Sequence, residues 1–231
     1  REGRVGVGCS HTRGGQMLAG AAVAGITAAG GDVSLHPLPC PVQGADWATA
    51  ARLPVSLFIQ DSGGIIYLHL FDDRGLPLER GDQRKLEHAL LQGEARRVHA
   101  HRVGRVDREE ITPEQWAQQV VERAKLHRPA LRRVTVAVGA DTPEDLALRS
   151  VLAGLGCRLE LEWRPGIPAF QAGRGGFQLT AQDERGAVVD PGQLLALLTL
   201  IEMENGSGTV AVPAGASAAV DLVAAGYGGT V

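Results

Sequence analysis

Strand–loop–helix–strand order, written twice along 231 residues, restricts this chain more than any other feature. Arg4 to Gly8 alternates as a short strand and gives way to a polar, Gly-containing loop, Cys9 to Gly15. Gln16 to Ala29 is Ala-rich with apolar residues at helical spacing, and Gly30-Gly31 ends it. Asp32 to Leu35 is the next strand. The order returns at Val134 to Val138, followed by a Thr142-Pro143 cap, a helix Glu144 to Leu155 and a strand Cys157 to Glu162. A second echo links HLFDDRGLPL to QLTAQDERGAVV, each followed by a helical segment. Repeats of this kind predict an α/β protein of tandem α/β/α three-layer units with mixed, largely parallel sheets.

The remaining elements follow from local signals. The Pro-rich run His36 to Pro41 reads as a loop, Asp46 to Arg52 as a short helix and Val55 to Ile59 as a buried strand. Ile65 to Phe71 and Gly75 to Leu78 bracket an Asp72-Asp73-Arg74-Gly75 turn with hairpin chemistry. Gln83 to Leu91 is helical, Glu94 to Arg108 is a basic linker, and Thr112-Pro113 starts a helix that runs to Lys125. Trp163 to Pro168 is turn-rich. Beyond it come strands Phe177 to Gln182, Ala187 to Val189 and Thr209 to Val212, with helices Pro191 to Glu202 and Ser217 to Ala225.

Composition excludes several function classes. With 44% hydrophobic residues and a net charge of −3, the chain is neither disordered nor basic enough to seek nucleic acid or a membrane surface. The strongest candidate for a spanning segment, Leu194 to Ile201, is far too short to cross a bilayer. Three scattered cysteines predict free thiols in a reducing cytoplasm, with no disulfide framework. Gly6-x-Gly8 lacks the third glycine and acidic partner of a nucleotide fingerprint. His88, His99, His101 and His127 match no metal-ligand spacing and read as solvated.

Three segments, in order, resemble the α-D-phosphohexomutases, the family of phosphoglucomutases, phosphomannomutases and phosphoglucosamine mutases. RVGVGCSHTRGGQMLAGAAVAGITAAGGDV is similar to that family's VVVGRDTRxSGxML stretch and the helix after it. SLFIQDSGGIIYLHLFDDRGLPL stands where the family has ITASHNPxxxNGxKxFDxxG, and QLTAQDERGAVVDPGQLLALL resembles the segment after its DGDxDR motif. The resemblance implies a domain I over residues 1–103, an abbreviated domain II over 104–165 and a partial domain III over 166–231. It also implies that the chain is a truncated member or a fragment.

Members of that family move a phosphoryl group between the 1- and 6-positions of a hexose phosphate through a phosphoserine and a Mg²⁺ ion held by aspartates. By that resemblance Ser62 falls at the phosphoserine position. Thr12, Arg13, Gly63 and Gly64 are candidates for binding phosphate. The three metal-ligand positions fall on Gly173, Gly175 and Phe177, within a stretch ending at Gln178 that holds Arg174 and Gly176 but no carboxylate. Mg²⁺ requires hard oxygen ligands, so no cofactor is expected, and Mg²⁺ enters only if the chain is an active mutase. The leading expectation is a catalytically impaired or inactive pseudoenzyme that acts as a binding or regulatory module for a phosphorylated sugar or a protein partner. The alternatives are an active phosphosugar mutase of carbohydrate metabolism and a structural subunit without a small ligand.

Overall fold

On the first strand, β1 (Arg4–Cys9), Val5 and Val7 point to one side and Gly6 and Gly8 to the other, and that alternation sets the layers of the first unit. Val7 is fully buried with Ala19, Val33 and Ile59, against Leu18, Ala22, Val23 and Ile26 of helix α1 (Arg13–Ala28). On the opposite side helix α2 (Pro41–Ala50) presses Trp47 toward Gly6. A Cβ on Gly8 would lie 2.1 Å from the His36 ring, so only glycine fits there. The VGVG alternation is a packing device, with large residues facing α1 and none facing α2.

The computed structural model describes residues 3–93, 97–125, 134–213 and 215–231. His127 and the Glu94–Arg96 portion of the expected linker lie outside the described residues. The chain divides into two compact units, the first of Arg1–Arg133, Ala140–Cys157 and Ala172–Gln178, the second of Val134–Gly139, Arg158–Gln171 and Leu179–Val231.

The first unit is built on a five-stranded sheet of β1, β2 (Asp32–Leu35), β3 (Val55–Ser62), β4 (Ile65–Asp72) and β5 (Val106–Arg108), in the order β4-β3-β1-β2-β5. β1, β2 and β3 are adjacent and parallel, as their apolar strands and intervening helices predict. β5 adds a parallel edge beside β2, in a stretch whose basic composition reads as linker. Its three residues are all exposed, so no apolar alternation advertises it. Helix α3 (Arg80–Gln92) follows β4. Helices α4 (Pro113–Lys125) and α5 (Pro143–Gly154) join α2 in a core of Leu38, Trp47, Leu53, Trp116, Ala117 and Ala147. α2 starts at Pro41, five residues before the expected Asp46, because proline is favoured in the first helical turn.

In the second unit β6 (Thr135–Val138), β7 (Arg158–Glu160), β8 (Ala169–Ala172) and β9 (Leu179–Gln182) form a sheet in the order β7-β6-β8-β9, with β6 parallel to both neighbours. Helix α6 (Pro191–Glu204) opens with a reciprocal capping box between Asp190 and Gln193 and packs with α7 (Ala218–Gly226). The expected strand Thr209–Val212 reduces to a single bridge between Thr209 and Thr230. The two DxRG turns share one hydrogen-bond pattern. Asp72 Oδ1 accepts from the N–H groups of Arg74 and Leu76, and Asp183 Oδ1 from those of Arg185 and Ala187. The sequence echo is therefore a structural repeat. Among the described residues no helix is long and apolar enough to cross a membrane.

His36 sits between Trp47 and Phe58, with Nδ1 accepting from Leu38 N–H at 3.3 Å. Burial pushes its pKa down to about 3. The unfolded imidazole titrates near its ordinary 6.5 and therefore binds protons that the folded one refuses. This stability is intact above pH 6.5 and falls by about 1.4 kcal/mol per unit as pH drops toward 3. Urea unfolding at stepped pH should show that slope, and His36→Asn should be shallower by about that amount between pH 6 and 4. Equal slopes in the two proteins would contradict a buried neutral His36.

Candidate functional site

The predicted residues gather where β1 and β3 end and helices begin. Leaving β1, the chain turns through Ser10 and His11 to Thr12, whose hydroxyl caps α1 by accepting from Gly15 N–H at 3.0 Å. The same hydroxyl donates to Asp61 Oδ2 at 2.9 Å, while Ser10 Oγ accepts from Asp61 N–H at 3.0 Å. The β1–α1 turn is thus stitched to the tip of β3.

Ser62 closes that tip. All eight residues of β3 pair with β4, from Val55 with Asp72 to Ser62 with Ile65. Gly63 and Gly64 make the two-residue connection at φ 62° and 84°. Two left-handed residues in a row are the type I′ geometry that glycine supplies without strain. The candidate serine therefore occupies the last rung of a ladder. Ser62 and Thr12 line one cavity of about 710 Å³. Arg13 opens α1 with its side chain exposed and is not among that cavity's lining residues.

The stretch Gly173–Gln178 folds as a tight loop around a 3-10 turn, with Gly173 N–H donating to the Gln178 carbonyl at 2.8 Å. Its Gly175 N–H donates to Glu144 Oε1 at 3.0 Å. The same oxygen accepts from Gln60 Nε2 at 2.8 Å, and Gln60 Oε1 accepts from His69 Nε2 at 2.9 Å. Gln60 and Glu144 are both buried. Burial pulls the His69 pKa down, partly opposed by the nearby Glu144 charge. Arg174 lies over the Tyr67 ring at 4.5 Å and donates to its hydroxyl, while Phe177 packs on Phe71 and His69.

These residues do not fit Mg²⁺. The ion needs near-octahedral oxygen donors at about 2.0–2.1 Å, and the loop offers glycines, an arginine, a phenylalanine and one amide. Glu144, which touches the loop, receives two N–H donors on one oxygen. Among the described residues no group of three or more His, Cys, Asp or Glu side chains could hold a metal ion.

A second cavity of about 720 Å³ lies between α1 and β5, with Ala19, Val23, Leu35 and Val106 in its walls. None of Thr12, Arg13, Ser62, Gly63 or Gly64 lines it. The hairpin-tip cavity is where hydroxyls, amides and carboxylates converge, so it is the better site.

No family model matches the sequence, and no curated protein matches it. Solved structures do match. A phosphoglucomutase/phosphomannomutase family protein from Burkholderia thailandensis superposes with a TM-score of 0.79 at 16% identity, covering 98% of this chain and 57% of that one. A candidate phosphomannomutase from Thermus thermophilus gives 0.71 at 15% identity, covering 99% and 60%. The chain has the phosphohexomutase fold. It spans less than two thirds of the length of those structures.

Within the phosphohexomutase fold, Gln60, His69 and Glu144 are the site residues that sequence reasoning passed over. Glu144 is the first residue after Thr142-Pro143, where an acid usually faces solvent and complements the helix dipole. Gln60 and His69 sit on paired strands nine positions apart, and only the full-length β3–β4 pairing brings their side chains together.

Proposed function

We propose that this chain is a phosphohexomutase homologue that keeps the scaffold as a binding module and lacks the metal-dependent phosphoryl-transfer machinery. The supporting observation is the Gly173–Gln178 loop. It carries no carboxylate, and its Gly175 N–H is tied to Glu144. A phosphoryl group in flight spreads charge over its equatorial oxygens, and fixed cationic donors must offset it. In this loop the one cation, Arg174, is engaged by Tyr67. The ligand is a phosphorylated sugar, the class that the resemblance implies, bound without turnover beside Thr12 and Ser62.

Calorimetric titration with Mg²⁺ tests the loss of the metal site. The expected result is no saturable one-site isotherm at millimolar ion. A saturable isotherm that disappears in Ser62→Ala or Gln178→Ala would mean that a functional metal centre survives.

A further inference from the structure

Helix α6 is apolar on the side that should meet water. Thr199 and Met203 are buried and mark its inner face. Leu194, Leu197, Leu198 and Ile201 recur at helical spacing and share the opposite face. Leu197 and Leu198 are each 51% exposed. Helix α7, which packs with α6, also leaves an apolar side chain in solvent, Leu222 at 76% exposure. A surface helix ordinarily turns charged and polar residues outward, and one that is apolar all round is a covered helix. The outer face of α6 has the composition of an interaction surface.

The charges around this face are of one sign. From Gly186 to Val231 the sequence holds no Lys, Arg or His, and its acids are Asp190, Glu202, Glu204 and Asp221. All of these acids are exposed. Glu202 lies one helical turn beyond Leu198 and Glu204 two turns beyond Leu197, on the two edges of the stripe. Asp190 stands at the opposite end, capping the helix. This frame discriminates among the occupants that could cover the leucines. A second copy brings acid to acid, Glu202 against Glu202 when the helices run parallel and against Asp190 when they run antiparallel. An anionic lipid surface is repelled in the same way. A helix whose own apolar stripe lies between lysines or arginines satisfies both the leucines and the acids.

We propose that the outer face of α6 docks a basic amphipathic helix of a partner protein, with apolar side chains on the stripe and cations against Glu202 and Glu204. This surface is separate from the sugar site, and its failure leaves the impaired-scaffold reading standing.

Calorimetry on the full chain tests this with a synthetic helical peptide that carries leucine at i, i+3, i+4 and i+7 and lysine elsewhere, beside the same peptide with glutamate for lysine. The lysine peptide should bind saturably, more weakly as salt rises, and at least about tenfold more tightly than the glutamate peptide. Leu197→Gln combined with Leu198→Gln should weaken the lysine peptide at least about tenfold. The melting temperature should not fall, because both side chains already face solvent. Glu202→Gln combined with Glu204→Gln should weaken binding several-fold and flatten its salt dependence. Lysine-peptide binding indifferent to the leucine variant would be charge attraction elsewhere and would overturn the proposal. Equal binding of the two peptides, or binding of neither, overturns it as well. A wild-type dimer in sedimentation that the leucine variant dissociates would assign the face to a second copy. Leucine-dependent binding to phosphatidylcholine vesicles would assign it to lipid. Either result also overturns the proposal.

Discussion

Glu144→Ala should destabilise the first unit by about 3 kcal/mol, because it strands two buried donors on one oxygen's departure. Gln60 Nε2 and Gly175 N–H both end on Glu144 Oε1, in a region where Gln60 and Glu144 are each less than a tenth exposed. An unsatisfied buried donor costs about 1–3 kcal/mol, and deleting the side chain also opens space beside Gly176. Glu144→Gln keeps an acceptor oxygen in the same place and should cost only about 1 kcal/mol. Urea unfolding of the three proteins, followed by circular dichroism, separates the two terms. An alanine variant within about 0.5 kcal/mol of wild type would mean that the Gly173–Gln178 loop is not held by this network. The loop is anchored through hydrogen bonds to Glu144, so that residue is where the first unit should be most sensitive.

The layered scaffold is legible in the sequence because it rests on periodic patterns. Val5, Val7, Val33, Leu57 and Ile59 alternate along three strands, and the spacing of Leu18, Ala22 and Ile26 carries the helix that covers them. The repeated DxRG turns are legible for a local reason, since each aspartate bonds N–H groups two and four residues ahead. What escapes is whatever depends on partners distant in sequence. β5 is three exposed residues whose only role is to pair with β2. The Gly63-Gly64 turn is visible as a turn, yet the full eight-residue hairpin that fixes Ser62 in the ladder is not. Gly6 and Gly8 resemble a nucleotide fingerprint until Trp47 and His36 are seen against them. In the candidate site, Thr12 and Ser62 were accessible through motif order. Glu144, 84 residues from Gln60, was accessible only through the fold.

The purified chain should not interconvert glucose 1-phosphate and glucose 6-phosphate, or the mannose and glucosamine counterparts. By the chemistry that the resemblance implies, turnover needs a phosphorylated serine, a bound divalent ion and a grip on the distal phosphate together. Ser62 supplies at most the first. Removing one well-placed electrostatic stabiliser costs on the order of 100- to 1000-fold in rate, and stabilisers that act as a unit fail together. The three positions that the resemblance assigns to metal ligands, Gly173, Gly175 and Phe177, lack a carboxylate, and Glu144 Oε1 accepts from two N–H donors. Added Mg²⁺ and a hexose bisphosphate activator should therefore not rescue turnover. The most direct measurement is a coupled mutase assay of the wild-type chain beside Ser62→Ala, with both supplements present. An impaired scaffold predicts that the two proteins are indistinguishable from the no-enzyme background; activity well above background in wild type that vanishes in Ser62→Ala would contradict it.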